Sequence, residues 1–350
     1  MKRDVYLISG IHKFFGQTRK PWVKMNLDKI VEIFNRNGFC VKHVEFHDVI
    51  NRKNKIENAI IIYSFSQKPE YRAYIVDVMY YLLKLNNIII PGYELLKCHE
   101  NKGFQELYSR LLGVNHLPTY YFSDSAELTN YTFEFPLVYK TVDGSNGKGV
   151  TLVKNDEELL RIVKKHERIV PQEQLDLFRR KYLRKKRSYK EYPDYNNRKD
   201  MMQYTRHIKP QKRFVLQQFI PDLMWDFRVL VVYDRYYITK RHIRDNDFRA
   251  SGAKKFDFDF TPDPMILDFA KQIFDGFRNS HLSIDIAFDG KDCYLLEYQA
   301  LHFGINVLVK SDGFYEQSDS GWRKVYKKPE IEEDIVYGFV KYLNSELIDL

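Results

Sequence analysis

The sequence predicts an α/β protein that opens with a parallel sheet and turns α+β in its C-terminal part. Three observations predict this. Up to about residue 97, short apolar runs alternate with amphipathic helical stretches, the pattern of a parallel layer with crossover helices. After residue 213, strand-like runs follow one another around one long helical stretch, and "AFDGKDCYLLEY" reads as a hairpin closed on Asp289-Gly290. Between these regions lies a glycine-rich turn, "YKTVDGSNGKGV", with a strand-like run on each side.

The bulk numbers bound the class. A chain of 350 residues, 44% hydrophobic and 29% charged, is long enough for two or three packed units of a globular protein. A net charge of +9 suits an anionic partner, whether a nucleotide, an acidic small molecule or a nucleic acid. Cys40, Cys98 and Cys293 are far apart and odd in number, so neither a CxxC metal pair nor a disulfide framework is expected, and a reducing, cytoplasmic compartment is. The opening apolar run is broken by His12 and Lys13, too early for a signal peptide, and no apolar run reaches spanning length.

The elements follow in order. "DVYLISG" is a strand ending at Gly10, "MNLDKIVEIFNRNG" a helix stopped by Gly38, and "FCVKHVEF" the next strand. "NAIIIYSF" is a buried strand, Pro69 opens a helix, and "NNIIIPG" is a strand closed by Pro91 and Gly92. In such sheets ligands sit beyond the carboxyl ends of the strands, so His12, Lys13, Arg19 and Lys20 in the first loop fit either an anion contact or a solvated loop. A helix ending at Gly113 and an edge strand after Pro118 come next. From about Glu167 to Arg213 the chain is rich in Arg, Lys, Tyr and Asn and poor in periodic apolar residues, which predicts a mobile or irregular insertion. The domain organisation expected is an N-terminal α/β domain over 1–97, a second segment over 98–213 that includes the insertion, a C-terminal unit over 214–325 and a terminal helix over 326–350.

Two local patterns carry chemistry. The glycine-rich turn is not a Walker A loop, because Val150 and Thr151 follow Gly149 where Lys and Ser or Thr would stand. It is not the dinucleotide fingerprint either. Lys140 at the end of a strand, followed by Gly144, Gly147 and Gly149, fits a phosphate-covering turn with a cation at its base, and equally a plain hairpin with a loose turn. Glu297 and Gln299, two apart at the end of a strand, share a face with Tyr298 on the other. Alone they fit either a hard-cation site or a solvated strand end.

In order and spacing, the features from about Asn101 to Gly304 resemble the ATP-grasp fold, in the branch of glutathione synthetase and the ribosomal protein S6 glutamate ligases, and the first section resembles the α/β domain that precedes the grasp there. "ENKGF" and "PLVYKTVDGSNGKGV" match the family's phosphate lysines at Lys102 and Lys140, with Gly144, Ser145, Gly147 and Gly149 in the turn. "VLQQFI" matches the strand beside the adenine, implying Gln217, Gln218, Phe219 and Ile220 as base contacts, with Gln218 where the family has an acid. The family's D-x-R falls on Asp226 and Arg228, and its arginine-bearing stretch implies Arg241, with Arg249 as a second candidate, near the transferred phosphate. The family's metal ligands fall on Asp285, Glu297 and Gln299, the last replacing an asparagine. His302 stands where the family has another sequence and fits a substrate contact or a structural role.

The resemblance implies an ATP-dependent carboxylate-amine ligase using ATP and Mg²⁺, one ion or two, with Mn²⁺ as a substitute, and passing through an acyl phosphate. Its partners would be small-molecule or peptide acids and amines. The basic run Arg179 to Arg187, interleaved with tyrosines, fits docking of an acidic polymer or tRNA, or a solvated excursion. The alternatives are an ATP-grasp phosphotransferase with a different acceptor, and a non-catalytic nucleotide- or nucleic-acid-binding protein. A homodimer is compatible with all three.

Overall fold

The structure is a computed structural model and describes residues 4–18, 20–51, 55–144, 147–166, 171–183, 202, 204, 213–244, 247–253 and 255–346. It divides into two compact units, one of Met1–Leu117, Asp143–Lys148 and Ile220–Leu350, the other of Pro118–Val142 and Gly149–Phe219.

In the first unit, β1 (Val5–Ser9), β2 (Val41–Glu45), β3 (Ile60–Ser64) and β4 (Ile88–Ile90) form a parallel sheet in the order β2-β1-β3-β4. Every residue of β3 is buried, as expected of an inner parallel strand with both faces covered. The helices α1 (Leu27–Arg36), α2 (Phe46–Ile50) and α3 (Pro69–Lys84) connect these strands. On α1 the residues Leu27, Ile30, Ile33 and Phe34 recur at helical spacing and are buried, while the Asn26 side chain accepts the Lys29 amide at 3.2 Å to cap the first turn. After α4 (Tyr93–Cys98), α5 (Lys102–Leu111) starts on a similar cap, Asn101 accepting from the Phe104 amide.

The second unit holds an antiparallel sheet of β5 (Thr119–Phe122), β6 (Leu137–Thr141), β7 (Val150–Val153) and β8 (Phe214–Gln218) in the order β5-β8-β6-β7. Leu159 and Val163 of α6 (Asp156–His166) close its core over Leu137, Tyr139, Val153, Phe214 and Leu216. The irregular insertion expected after Glu167 contains a helix, α7 (Pro171–Tyr182). Pro171 opens it, and Gln, Glu, Leu, Arg and Lys carry its helix propensity. None of its residues is buried, so the apolar period that marks a core-facing helix is weak there. Residues 184–201 lie outside the described residues.

The rest of the first unit is a larger antiparallel sheet. It comprises β9 (Trp225–Val232), β10 (Arg235–His242), the short β11 (Phe256–Asp257), β12 (His281–Phe288), β13 (Cys293–Gln299), β14 (Gly313–Ser318) and β15 (Gly321–Tyr326), in the order β13-β12-β9-β10-β14-β15 with β11 beside β10. Period-two alternation splits β9 between two cores. Phe227, Val229 and Val231 pack under α8 (Pro264–Phe277), whereas Leu230 and Val232 join the core shared with α9 (Asn306–Lys310), α10 (Ile331–Glu346) and the parallel sheet. Close approach of α10 depends on Gly338, where an added Cβ would stand 2.7 Å from His281 Nε2 and 2.9 Å from Val232 Cγ1. Among the described residues, no helix is long and apolar enough to cross a membrane.

Candidate functional site

The face of β9 that carries Leu230 and Val232 also carries Asp226 and Arg228, so along one strand the same face turns from core to charge. Strand register extends this charge sideways. Asp226 lies opposite Arg241 of β10, Arg228 opposite Asp285 of β12, and Asp285 opposite Glu297 of β13. A bulge makes the last pairing work: Ile286 pairs with Leu295 and Asp285 with Glu297, leaving Leu296 without a partner. Unbroken alternation would have put Glu297 and Gln299 on the buried face of Cys293 and Leu295. The extra residue turns them to the charged face and sends Tyr298 into the core, where its hydroxyl donates to the Gln105 carbonyl at 3.0 Å.

The side chains on this face are locked by paired hydrogen bonds. Arg241 Nε and Nη2 donate to the Asp226 carboxylate at 2.6 and 2.8 Å, and Arg228 Nε and Nη2 donate to Asp285 at 2.7 and 2.8 Å. Arg241 Nη2 also reaches Asp285 Oδ2 at 2.9 Å, joining the two pairs into one network. Asp226, Arg241 and Asp285 are each less than one-tenth exposed. Burial alone would raise the Asp285 pKa, but the Arg228 and Arg241 guanidinium groups outweigh it and hold the carboxyl well below the ordinary range. For Arg241, burial acts to lower the pKa, and Asp226 and Asp285 more than reverse it.

Lys102 stands at the first position of α5, where the helix dipole disfavours a cation. Its Nζ is held instead by the Gly144 carbonyl at 2.9 Å and lies 3.6 Å from Glu297 Oε1. The glycine-rich turn is thus fastened to the face that carries the carboxylates. It is fastened again at Gly147, whose carbonyl accepts from Arg249 Nη1 at 3.0 Å, while Asp247 orients that guanidinium. Gly147 and Gly149 have φ of 72° and 71°, and side chains there would meet the Ser251 carbonyl and Thr141 respectively, so both positions require glycine. Gly149→Ala is therefore expected to lower the thermal midpoint by several degrees through its collision with Thr141, whereas Gly38→Ala, with the same sign of φ but open space around it, is expected to cost less. Melting curves of the two variants provide the comparison.

In the second unit Lys140, on β6, donates to Gln217 Oε1 at 2.5 Å, and Gln217 Nε2 donates to Thr119 Oγ1 at 3.3 Å. Gln217 is buried and Gln218 exposed, and the Gln218 amide donates to the Pro118 carbonyl. Phe219 closes this unit, and Ile220 belongs to the first. Ser145 and Arg19 lie outside the described residues, as does the basic stretch after Leu183; His12, Lys13 and Lys20 are exposed. His302 is 5% exposed, its ring packed 5.2 Å from Phe65 and 4.9 Å from His99, a packing role within the fold.

Asp285, Glu297 and Gln299 offer two carboxylates and an amide carbonyl, the hard oxygen donors that Mg²⁺ selects. Among the described residues, no three His, Cys, Asp or Glu side chains gather as a metal cluster, so an ion here would need the Gln299 oxygen or a substrate oxygen as a further ligand. Asp285 already accepts three guanidinium N–H groups. A carboxylate has about four lone-pair positions, which leaves it room for one more ligand. Among the described residues Glu297 is engaged only by Lys102, at 3.6 Å, so the donor set fits one hard cation.

The residues that sequence order assigned separately to nucleotide and metal, namely Lys102, Gly144, Asp226, Arg228, Arg241, Asp285 and Glu297, therefore form one connected group within the first unit. The Arg228–Asp285 and Lys102–Glu297 contacts were not anticipated, since nothing in a linear motif states which residues register will place opposite each other.

No family model matches the sequence, and no curated protein does. Solved structures do resemble it. D-cycloserine synthetase DcsG superposes with a TM-score of 0.54 at 8% identity, over 97% of this chain and 99% of the other. D-alanine–D-alanine ligase from Bacillus anthracis superposes with a TM-score of 0.50 at 12% identity, over 87% of this chain and 89% of the other. At these identities the likeness concerns the fold.

Proposed function

From the ATP-grasp fold of this chain as premise, we propose that it is an ATP-dependent ligase that joins a carboxylate to an amine. The observation that carries this reading is the band of alternating charge from Arg241 through Asp226, Arg228 and Asp285 to Glu297 and Lys102, with the glycine-rich turn fastened beside it. Lys102 and Lys140 are assigned to the ATP phosphates, the turn Gly144 to Gly149 to covering them, and Gln217 to Ile220 to the adenine. Asp285, Glu297 and Gln299 would hold Mg²⁺, which when bound neutralises phosphate charge that would repel an incoming carboxylate.

The chain's own residues then act by position and charge, with no protein nucleophile. The terminal phosphorus of ATP passes to a carboxylate oxygen of the acid, breaking its bond to the ADP oxygen. The amine then attacks the carboxyl carbon, phosphate leaves with the electron pair of the C–O bond, and the amine loses a proton. Arg249, about one-quarter exposed and steered by Asp247, is the cation assigned to the moving phosphoryl group. Arg241 is held by two carboxylates through Nε and Nη2, so we assign it to positioning Asp226 and Asp285.

The test is ADP release in the presence of candidate acids and amines, small or peptide. A ligase releases ADP only when both are supplied. A phosphotransferase would release it with a single acceptor, and ATP-independent nucleic-acid binding with steep salt dependence would point to a non-catalytic role. Lys140→Ala is expected to cut turnover about a hundredfold, the scale of a lost charged contact to a transition state. In Mg²⁺ titrations of activity, Glu297→Gln should raise the half-saturating concentration far more than Gln299→Asn, because an anionic ligand is lost in the first case and an amide oxygen kept in the second.

A further inference from the structure

The second unit carries a helix whose largest apolar side chains face outward. Along α7, Glu173, Asp176, Leu177 and Arg180 are partly covered, and their spacing of three and four places them on one face; every other position is exposed. On the opposite face stand Leu175, Phe178 and Tyr182, which are 60%, 54% and 61% exposed. Their spacing of i, i+3 and i+7 lines them up in one row along the helix. The row is narrower than the apolar stripe of a core-facing helix, and the chain does not bury it.

Charge is sorted in the same way. Both carboxylates of α7, Glu173 and Asp176, belong to the covered face. There Asp176 accepts from the Tyr204 hydroxyl, and the Arg180 guanidinium lies 3.9 Å over the Tyr204 ring. The exposed positions carry Arg179 and Lys181, one on each side of the row at about 100° per residue, and no acid. Lys181 Nζ lies 5.0 Å from the centre of the Tyr182 ring, which packs 4.9 Å from that of Phe178. The helix therefore turns its acids inward and presents an apolar row between two cations.

Shape, area and charge decide what can cover this row. A peptide or small ligand needs a concave site, and a helix with no buried residue is convex. A second copy of the chain would gain too little: three large side chains about half exposed bury about 300 Å², so two copies bury about 600 Å², half of the roughly 1,200 Å² of a small specific interface. A nucleic acid would meet the two cations and leave Leu175 against phosphate. An anionic lipid surface is flat, accepts the apolar row at the edge of its acyl chains and pairs its phosphates with the cations. We propose that α7 is a surface anchor lying in the plane of an anionic phospholipid bilayer, with Leu175, Phe178 and Tyr182 at the boundary of headgroups and acyl chains and Arg179 and Lys181 among the phosphates. A helix of 12 residues with one such row gives weak, reversible docking. The surface is separate from the candidate ligase centre, and the inference does not depend on that reading.

The test is co-sedimentation of the full-length chain with vesicles of phosphatidylcholine alone and of phosphatidylcholine with about 30% phosphatidylserine, at low and high salt. The expected result is binding to the anionic vesicles at least about tenfold tighter than to the neutral ones, weakening as salt rises. Phe178→Glu should weaken it at least about tenfold by placing a charge in the apolar row. Arg179→Gln and Lys181→Gln should each weaken it about fivefold, the scale of one basic residue near an anionic surface. Phe178→Trp should keep the binding, and the emission it adds to the wild-type spectrum should shift to the blue on the anionic vesicles. All three positions are exposed, so each variant should melt with the wild type, which guards against misreading an unfolded chain. Absence of binding to the anionic vesicles at low salt overturns the proposal. Unchanged binding of Phe178→Glu also overturns it, since charge alone would then account for the attraction. So does self-association of the chain that Phe178→Glu abolishes, which would give the row to a second copy, or single-stranded RNA binding tighter than vesicle binding and lost in Arg179→Gln.

Discussion

Arg241→Ala should cost roughly 3–5 kcal/mol of stability as well as activity, the range for breaking a buried ion pair by removing one partner. Arg241 is 4% exposed and donates to both oxygens of Asp226 while also reaching Asp285. Truncation leaves Asp226 without its bidentate partner and Asp285 with Arg228 alone. A buried carboxylate stripped of its counterion must either pay its desolvation or take up a proton. Urea denaturation of the variant should therefore show a much lower midpoint with an unchanged slope. Arg228→Ala is the informative companion, because Asp285 would keep one guanidinium and Asp226 both bonds from Arg241, so its loss should be smaller. A midpoint for Arg241→Ala within 0.5 kcal/mol of wild type, on the order of an ordinary surface substitution, would mean that the network is not closed in solution. Sequence motifs alone would have predicted a purely catalytic defect. Burial is what changes the expectation.

That difference marks how much was legible in the chain. The parallel layer could be read because its signals are local: β3 is apolar from Ile60 to Tyr63, Pro69 opens α3, and Gly38 stops α1. The glycines of the turn mark a turn in the sequence but not its backbone, and the left-handed φ of Gly147 and Gly149 is visible only in the structure. Glu297 and Gln299 could be read as sharing a face, but the bulge at Leu296 decides which face. A bulge is one extra residue with no side-chain signature of its own, and it shows only in the register of β13 against β12. The pairing of Arg228 with Asp285, 57 positions apart, is a product of sheet register, which the sequence specifies only through the whole pattern of buried residues. α7 was missed for the opposite reason: it buries no residue, so its propensity was present without the apolar stripe by which helices are found.

Acid should destabilise the protein in two separable windows, beginning with histidine. His281 is 2% exposed, stacked on Phe303 with ring centres 5.7 Å apart and packed against Phe339, and burial pushes its pKa down to about 3. His302 is pushed down to about 3 for the same reason. An unfolded histidine titrates near 6.5. Between these values the unfolded chain binds a proton that the folded chain refuses, so stability is complete above about pH 6.5 and falls as the pH drops toward the folded value. From pH 7 to pH 5 the loss is about 2 kcal/mol for each histidine. Asp285 contributes in a different range: its folded pKa lies below the ordinary carboxylate value, so what it adds is present above about pH 4 and disappears only as the pH falls below that. Urea midpoints measured at pH 7 and pH 5 should thus show a wild-type loss of about 4 kcal/mol from the two imidazoles together. In His281→Asn, which keeps a polar group beside Ser280 but has nothing to protonate, the same pH step should cost about half as much. Equal losses in the two proteins would show that His281 already carries its proton in the fold, and the close packing of α10 at Gly338 would then have to tolerate a buried imidazolium.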